Sequence, residues 1–113
     1  MCIRDSIRYI DQHLPDPTLS VSQIANVHRI SKRYLHWLFR DQSVTVNALI
    51  ILKRLAGCQR DLSSPVGAHL QIGQIAYAWG FSNISHFSKR YRAQYQESPT
   101  ETRQRAAEEM GKG

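Results

Sequence analysis

Apolar positions along this chain recur at intervals of three and four, and no stretch sustains the period-two alternation of a half-buried strand. Ile7, Ile10 and Leu14 mark a first helix with Ser6 as its expected N-cap, and Pro15-Asp16-Pro17 stops it. Ser20-Val21-Ser22-Gln23 has the form of a capping box, in which a hydroxyl satisfies an early helical amide while the side chain three residues on reaches back. A short helix carrying Val21, Ile24 and Ala25 follows. Ser31 is placed to cap the next, which is expected to run to about Asp41 with Tyr34, Leu35, Leu38 and Phe39 on its inner face. A longer helix from Thr45 to about Leu62 carries Val46, Leu49, Ile50 and Leu55 and ends at Ser63-Ser64-Pro65. Ile72 to Trp79 predicts another short helix, Gly80 a turn, and Asn83 to Tyr95 an amphipathic helix. Ser98-Pro99-Thr100-Glu101, a capping box with proline at the first helical position, launches a last helix through about Glu109.

The expected fold is therefore all-α, with about seven helices forming two helix-turn-helix subdomains joined by a longer connecting helix. The first subdomain spans 7–44, the connecting helix 45–64 and the second subdomain 65–109. Residues 1–6 and 110–113 are expected to be disordered or non-native ends.

The two subdomains resemble each other. Gln23-Ile24-Ala25, Ile30-Ser31 and Phe39-Arg40 recur as Gln74-Ile75-Ala76, Phe81-Ser82 and Tyr91-Arg92, at an offset of 51 that becomes 52 within the longer helix. A wheel at about 100° per residue turns Phe87 and Tyr91 inward in the second copy, like their counterparts in the first. It leaves Arg33, His36, Trp37 and Arg40 outward in one copy and Ser85, Ser88, Lys89 and Arg92 in the other.

Those outward side chains suit a major groove. Arg and Lys donate to guanine O6 and N7, Ser donates or accepts, and an indole offers an apolar surface to a thymine methyl. Arg33, His36, Trp37, Ser85, Ser88 and Lys89 are the candidate base-reading residues. Arg40 and Arg92, about two turns into their helices, suit phosphate better than base edges, and Lys32 and His86 are assigned to phosphate with them.

Composition agrees with a polyanionic partner without specifying one. Lys and Arg number 15 against 9 Asp and Glu, giving a net charge of +6 and a pI near 9.8. Cys2 and Cys58 form no Cys-x-x-Cys pair, so free thiols in a reducing compartment are expected. The longest apolar run, Ala48 to Leu52, is too short to span a bilayer, and the start lacks the apolar core of a signal peptide, so a cytoplasmic protein without membrane contact is expected. His13, His28, His36, His69 and His86 include no i, i+4 pair and stand beside no Cys or carboxylate cluster; neither metal nor cofactor is expected. No nucleophile, base and orienter set and no Gly-rich phosphate loop is legible, so the chain is not expected to be an enzyme.

The chain resembles the C-terminal DNA-binding domain of the AraC/XylS family of bacterial transcriptional regulators. The likeness extends from about Ile7 to Arg105. It is most specific at Ile75-Ala76, Trp79-Gly80-Phe81-Ser82, His86-Phe87-Ser88-Lys89, Tyr91-Arg92 and Ser98-Pro99 with Arg103. Leu19-Ser20, Ile24-Ala25, Ser31, Tyr34-Leu35, Phe39 and Arg54-Leu55 carry it in the first half. The resemblance implies two recognition helices in adjacent major grooves of duplex DNA, with base-reading positions at Arg33, His36, Trp37, Ser85 and Lys89. It also implies RNA polymerase and a separate N-terminal effector or dimerisation domain as partners. Three residues depart from the family pattern where glycine is common: Arg29 in the first turn, Ser43 after the first recognition helix, and Gln96-Glu97 before the Ser-Pro. The alternative reading is a helical protein-interaction module without DNA sequence specificity.

Overall fold

The apolar periodicity becomes seven α-helices in the computed structural model, which describes residues 2–111: α1 (Ile3–His13), α2 (Val21–Val27), α3 (Lys32–Leu38), α4 (Val46–Ser63), α5 (Ile72–Ala78), α6 (Ile84–Tyr95) and α7 (Pro99–Gly111). A 3₁₀ turn at Pro65–His69 joins α4 to α5, and no strand occurs among the described residues.

Side-chain caps fix most of the boundaries by satisfying amides that a helix start leaves unpaired, each contributing roughly 1 kcal/mol. Ser20 Oγ accepts from the Gln23 amide at 3.2 Å and Ser31 Oγ from the Tyr34 amide at 2.9 Å. Thr45 Oγ1 accepts from the Ala48 amide at 3.2 Å and Asn83 Oδ1 from the His86 amide at 3.0 Å. At α7 the box closes in both directions: Ser98 Oγ accepts from the Glu101 amide and Glu101 Oε1 from the Ser98 amide, each at 3.1 Å. The Ser20 box closes on one side only: Gln23 is turned so that Nε2 donates to Asp16 at 3.5 Å, and its Oε1 does not reach the Ser20 amide.

Two ends differ from expectation. Helix α1 begins at Ile3, a turn earlier than a Ser6 cap would allow, and Ser6 lies buried within it. Ile3 and Ile7 pack against the core with Ile10 and Leu14, so the 3, 7, 10, 14 stripe extends the helix backward. Of the ends expected to lack structure, Ile3 to Ser6 and 110–111 are thus helical; Met1, Lys112 and Gly113 lie outside the described residues. Helix α3 stops at Leu38 rather than near Asp41. Its last amides shift to i−3 partners, Phe39 to His36 and Arg40 to Trp37, both at 3.1 Å, and Arg40 falls in the turn beyond.

The internal repeat is structural. Ile24, Ala25, Leu35 and Phe39 fill the first core where Ile75, Ala76, Phe87 and Tyr91 fill the second. Both turns close with the same hydrogen bond at 3.0 Å, Ile30 amide to Ala25 carbonyl and Phe81 amide to Ala76 carbonyl. Both need a left-handed residue just before it, Arg29 at φ 56° and Gly80 at φ 98°. Gln96, at φ 61°, is the second non-glycine residue of this kind, whereas Ser43 is not left-handed. Arg29 and Gln96 each carry a backbone cost on the order of 1 kcal/mol that glycine would avoid.

Helix α4 belongs to both halves. Val46 and Ile50 lie in the first core, and Leu55, Cys58 and Leu62 in the second. Lys53 pairs with Asp11 of α1 at 2.8 Å, and Arg103 of α7 donates to the Gly67 carbonyl of the 3₁₀ turn at 3.1 Å and to the Leu70 carbonyl just after it at 2.6 Å. The resulting body measures 50 × 25 × 24 Å.

Candidate nucleic-acid interface

Each unit presents the second helix of its helix-turn-helix, α3 or α6, with one face buried and one face in solvent; α6 is longer than its partner α5, as expected, whereas α3 has the same seven residues as α2. In α3, Leu35 and Phe39 anchor the helix, while Lys32, Arg33, His36 and Trp37 are exposed, as is Arg40 just past its end. In α6, Phe87 and Tyr91 are fully buried, Ser85, His86, Lys89 and Arg92 are exposed, and Ser88 is half-buried. All ten candidate residues therefore lie where a ligand could reach them.

These faces are electrostatically one-sided. No Asp or Glu occurs at 17–40 or at 62–96, the stretches that hold α2, α3, α5 and α6. Among the described residues, the side chains of Lys32, Arg33, Lys89 and Arg92 enter no ion pair or hydrogen bond, so their charges are uncompensated.

Three residues of the first face form one stack. The Tyr34 and Trp37 rings lie 5.6 Å apart at 21°, and the Arg40 guanidinium sits 3.8 Å from the Trp37 ring centroid while donating to the Trp37 carbonyl at 3.0 Å. Arg33, Tyr34 and Trp37 share a concavity of about 350 Å³ with the capping Ser31. Tyr34 was expected to turn inward and does not: it is 41% exposed. It lies about 100° around the helix from the fully buried Leu35, at the margin of the apolar stripe, and the indole one turn on gives it an alternative surface to cover.

On the second face Ser88, Lys89 and Arg92 converge on a cleft of about 330 Å³ closed by Ile72 and by Ser98, Pro99 and Thr100 at the start of α7. Ser98 and Thr100, absent from the outward set, were hidden from a wheel drawn on α6 alone. His86 Nε2 accepts from Arg90 Nε at 3.4 Å, bringing in a second residue that the wheel passed over. Lys32, His36 and Ser85 lie on the same helices outside both hollows.

Behind α6, a polar chain fixes the helix to α7. Tyr91 donates its hydroxyl to Thr102 Oγ1 at 2.8 Å, Thr102 donates to Glu97, and Glu97 accepts from Arg105 at 3.0 and 3.1 Å. The Thr102 hydroxyl and Arg105 hold the Glu97 carboxyl below its ordinary pKa, and burial raises that of Tyr91.

A profile of the family described as helix-turn-helix domain matches residues 14–105. A solved transcriptional regulator of AraC type from Chromobacterium violaceum superposes with a TM-score of 0.81 at 27% identity, covering 93% of this chain and 91% of that one. The chain belongs to the AraC/XylS family of DNA-binding domains. A probable AraC family transcriptional regulator from Rhodopseudomonas palustris is similarly close, with a TM-score of 0.78 at 29% identity over 92% of this chain and 95% of that one. Among curated proteins, the transcriptional activator RhrA of Rhizobium meliloti is 29% identical over 98 residues, 87% of this chain. The probable transcriptional regulator LumQ of Photobacterium leiognathi is 34% identical over 95 residues, 81% of this chain. The chain spans about a third of those two relatives, 31% and 36% of their lengths. It is a DNA-binding domain of transcriptional-regulator type, and this is not an enzyme family.

The remaining candidate chemistry has local explanations. His13 and His28 bond through Nδ1 to the Tyr9 and Ile24 carbonyls, both at 2.8 Å, and both rings pack on Tyr9. Among the described residues no group of three His, Cys, Asp or Glu is arranged to hold a metal, and no helix is long and apolar enough to cross a membrane. Both cysteines are free: Cys2 is exposed, while burial pushes the Cys58 thiol up to about 12, which keeps it protonated at neutral pH.

Proposed function

We propose that this domain binds specific double-stranded DNA through α3 and α6, each in one of two adjacent major grooves, as the promoter-recognising part of a bacterial transcriptional regulator. Arg33, His36 and Trp37 read bases in one half of the site; Ser85, Ser88 and Lys89 read the other. Lys32, Arg40, His86 and Arg92 bind phosphate and set register. The observation that carries this reading is that the outward positions of the two repeated units, all exposed except the half-buried Ser88, lie in stretches free of carboxylates. The 50 Å long axis also exceeds the roughly 34 Å between successive major-groove segments on one side of B-DNA. RhrA's name, transcriptional activator, points to the process. RNA polymerase and an effector or dimerisation domain outside this chain are the partners the reading implies, in the cytoplasm.

Selection of bound duplexes from a random library is expected to enrich a bipartite site. Lys89→Ala should relax base preference in one half and Arg33→Ala in the other, each by roughly 1–3 kcal/mol per lost contact, and Trp37→Ala should relax the Arg33 half by less, because an indole makes no bidentate base contact. Arg92→Ala should weaken binding to all sequences alike and make the salt dependence shallower by about one unit of log–log slope. A library that yields no enriched site, together with binding that ignores salt, would favour the protein-interaction module instead.

A further inference from the structure

Arg54 departs from the other cations of this basic chain in being only 8% exposed. It stands midway along α4, after the buried Val46 and Ile50 of the first core and before the buried Leu55, Cys58 and Leu62 of the second. Its guanidinium reaches away from α4 to the end of α1: Nε donates to the Leu14 carbonyl at 3.0 Å and Nη2 to the Asp16 carbonyl at 2.7 Å. Burial lowers its pKa, and the nearby Asp16 opposes that shift. No residue of either recognition face takes part in these bonds.

The second subdomain meets the first at the same point. A Cβ on Gly80, in the turn between α5 and α6, would fall 2.5 Å from the Leu14 carbonyl oxygen, 2.8 Å from Arg54 Nε and 2.9 Å from Arg54 Cζ. The guanidinium is thus held among the end of α1, the middle of α4 and the turn of the second unit. One residue earlier, Trp79 packs against both cores. Its ring covers Gly57 so closely that a Cβ there would lie 2.5 Å away, and its Nε1 donates to Asp61 at 2.8 Å. The internal repeat makes this asymmetry informative. Arg29 occupies the matching left-handed position of the first turn, yet it is exposed. Only the second turn is buried against its neighbour, and there the residue is glycine.

We propose that Arg54 is a positioning residue that fixes the spacing and rotational phase of the two DNA half-sites by pinning the first subdomain to the turn of the second. The proposal rests on the two-groove reading above. One inserted base pair moves the second half-site about 3.4 Å along the duplex and about 35° around it. A body pinned at Arg54 cannot follow that shift, so the duplex must deform.

The test is the affinity of the parent chain and of Arg54→Met for the selected duplex at its original spacing and with one base pair added or removed between the halves. The parent should lose on the order of tenfold for a single added or removed pair. Arg54→Met should bind the original spacing less well but discriminate among spacings by no more than about threefold, with base preference inside each half unchanged. A variant that is merely less stable would lose affinity by one factor at every spacing. A parent without spacing preference, or an Arg54→Met profile parallel to the parent's, overturns the proposal. If circular dichroism shows that Arg54→Met does not fold, Arg54→Lys, which keeps the charge but replaces the two-pronged guanidinium by a single nitrogen, and Asp61→Ala, which frees the Trp79 indole, are judged by the same criterion. Failure of the parent to select any bipartite duplex is seen before a variant is made; it defeats the two-groove reading and this inference with it.

Discussion

Trp37 is 51% exposed, an unusual position for an indole, and its neighbours explain how it is held there. Tyr34 precedes it by one turn and Arg40 follows by one, so a ring and a guanidinium both pack on the indole, and about half of it remains for a ligand. Arg40 donates from Nη1 to the Trp37 carbonyl and pairs through Nε with the exposed Asp41 at 3.8 Å, which leaves Nη2 for a phosphate and gives phosphate a carboxylate to displace. An indole edge carries little hydrogen-bonding information and reads chiefly shape, such as a thymine C5-methyl. Replacing each thymine of the selected site by deoxyuridine, one at a time, should reveal a position where the parent loses about 0.8 kcal/mol, close to fourfold, and Trp37→Ala loses nothing. Equal losses in both proteins at every position would remove Trp37 from base reading. The wheel placed Trp37 correctly in solvent but sent Tyr34 to the core. A wheel assigns angles, and at the margin of a stripe the outcome depends on which neighbour covers the ring.

At the scale of elements, most helix starts and ends were legible, with one miss of each kind: α1 begins before Ser6 and α3 stops short of Asp41. Ser20, Ser31, Thr45, Asn83 and Ser98 all cap as side-chain chemistry predicts, because a cap is a local bond between residues three apart. The end of α3 has no comparable signal, since the drift to i−3 bonding at Phe39 and Arg40 depends on where the chain must go next. Backbone strain was legible at two of three positions: Arg29 and Gln96 proved left-handed, and Ser43 did not. At the corner between α6 and α7, Gln96→Gly should stabilise the domain by about 1 kcal/mol and raise its thermal midpoint by roughly 4 °C, without altering site selection. An unchanged or lower midpoint would mean that the Gln96 side chain, which donates to the Ala93 carbonyl at 3.2 Å, contributes more than the φ of 61° costs.

Over the whole molecule, the two subdomains foreseen from the repeat are less independent than their internal likeness suggests. The repeat could be read from Gln23-Ile24-Ala25 and Gln74-Ile75-Ala76, whereas the joint between the copies involves Leu14, Arg54 and Gly80, residues far apart in sequence with no shared pattern. Because α4 supplies side chains to both cores and Trp79 touches each, thermal or urea unfolding should be a single transition with coincident signals from Trp37 in the first unit and Trp79 in the second. Single-tryptophan variants, Trp37→Phe and Trp79→Phe, would report the two halves separately. Midpoints that differ would show that the shared helix does not couple them.

The 18 residues of α4 also act as a ruler. Each residue of a helix advances the chain by about 1.5 Å and turns it by about 100°. An extra residue between Ile50 and Leu55 would carry α5, α6 and α7 around the barrel of α4 and point Lys89 along a different compass bearing from Arg33. The loops of this molecule can absorb length; its central rod has nowhere to put it.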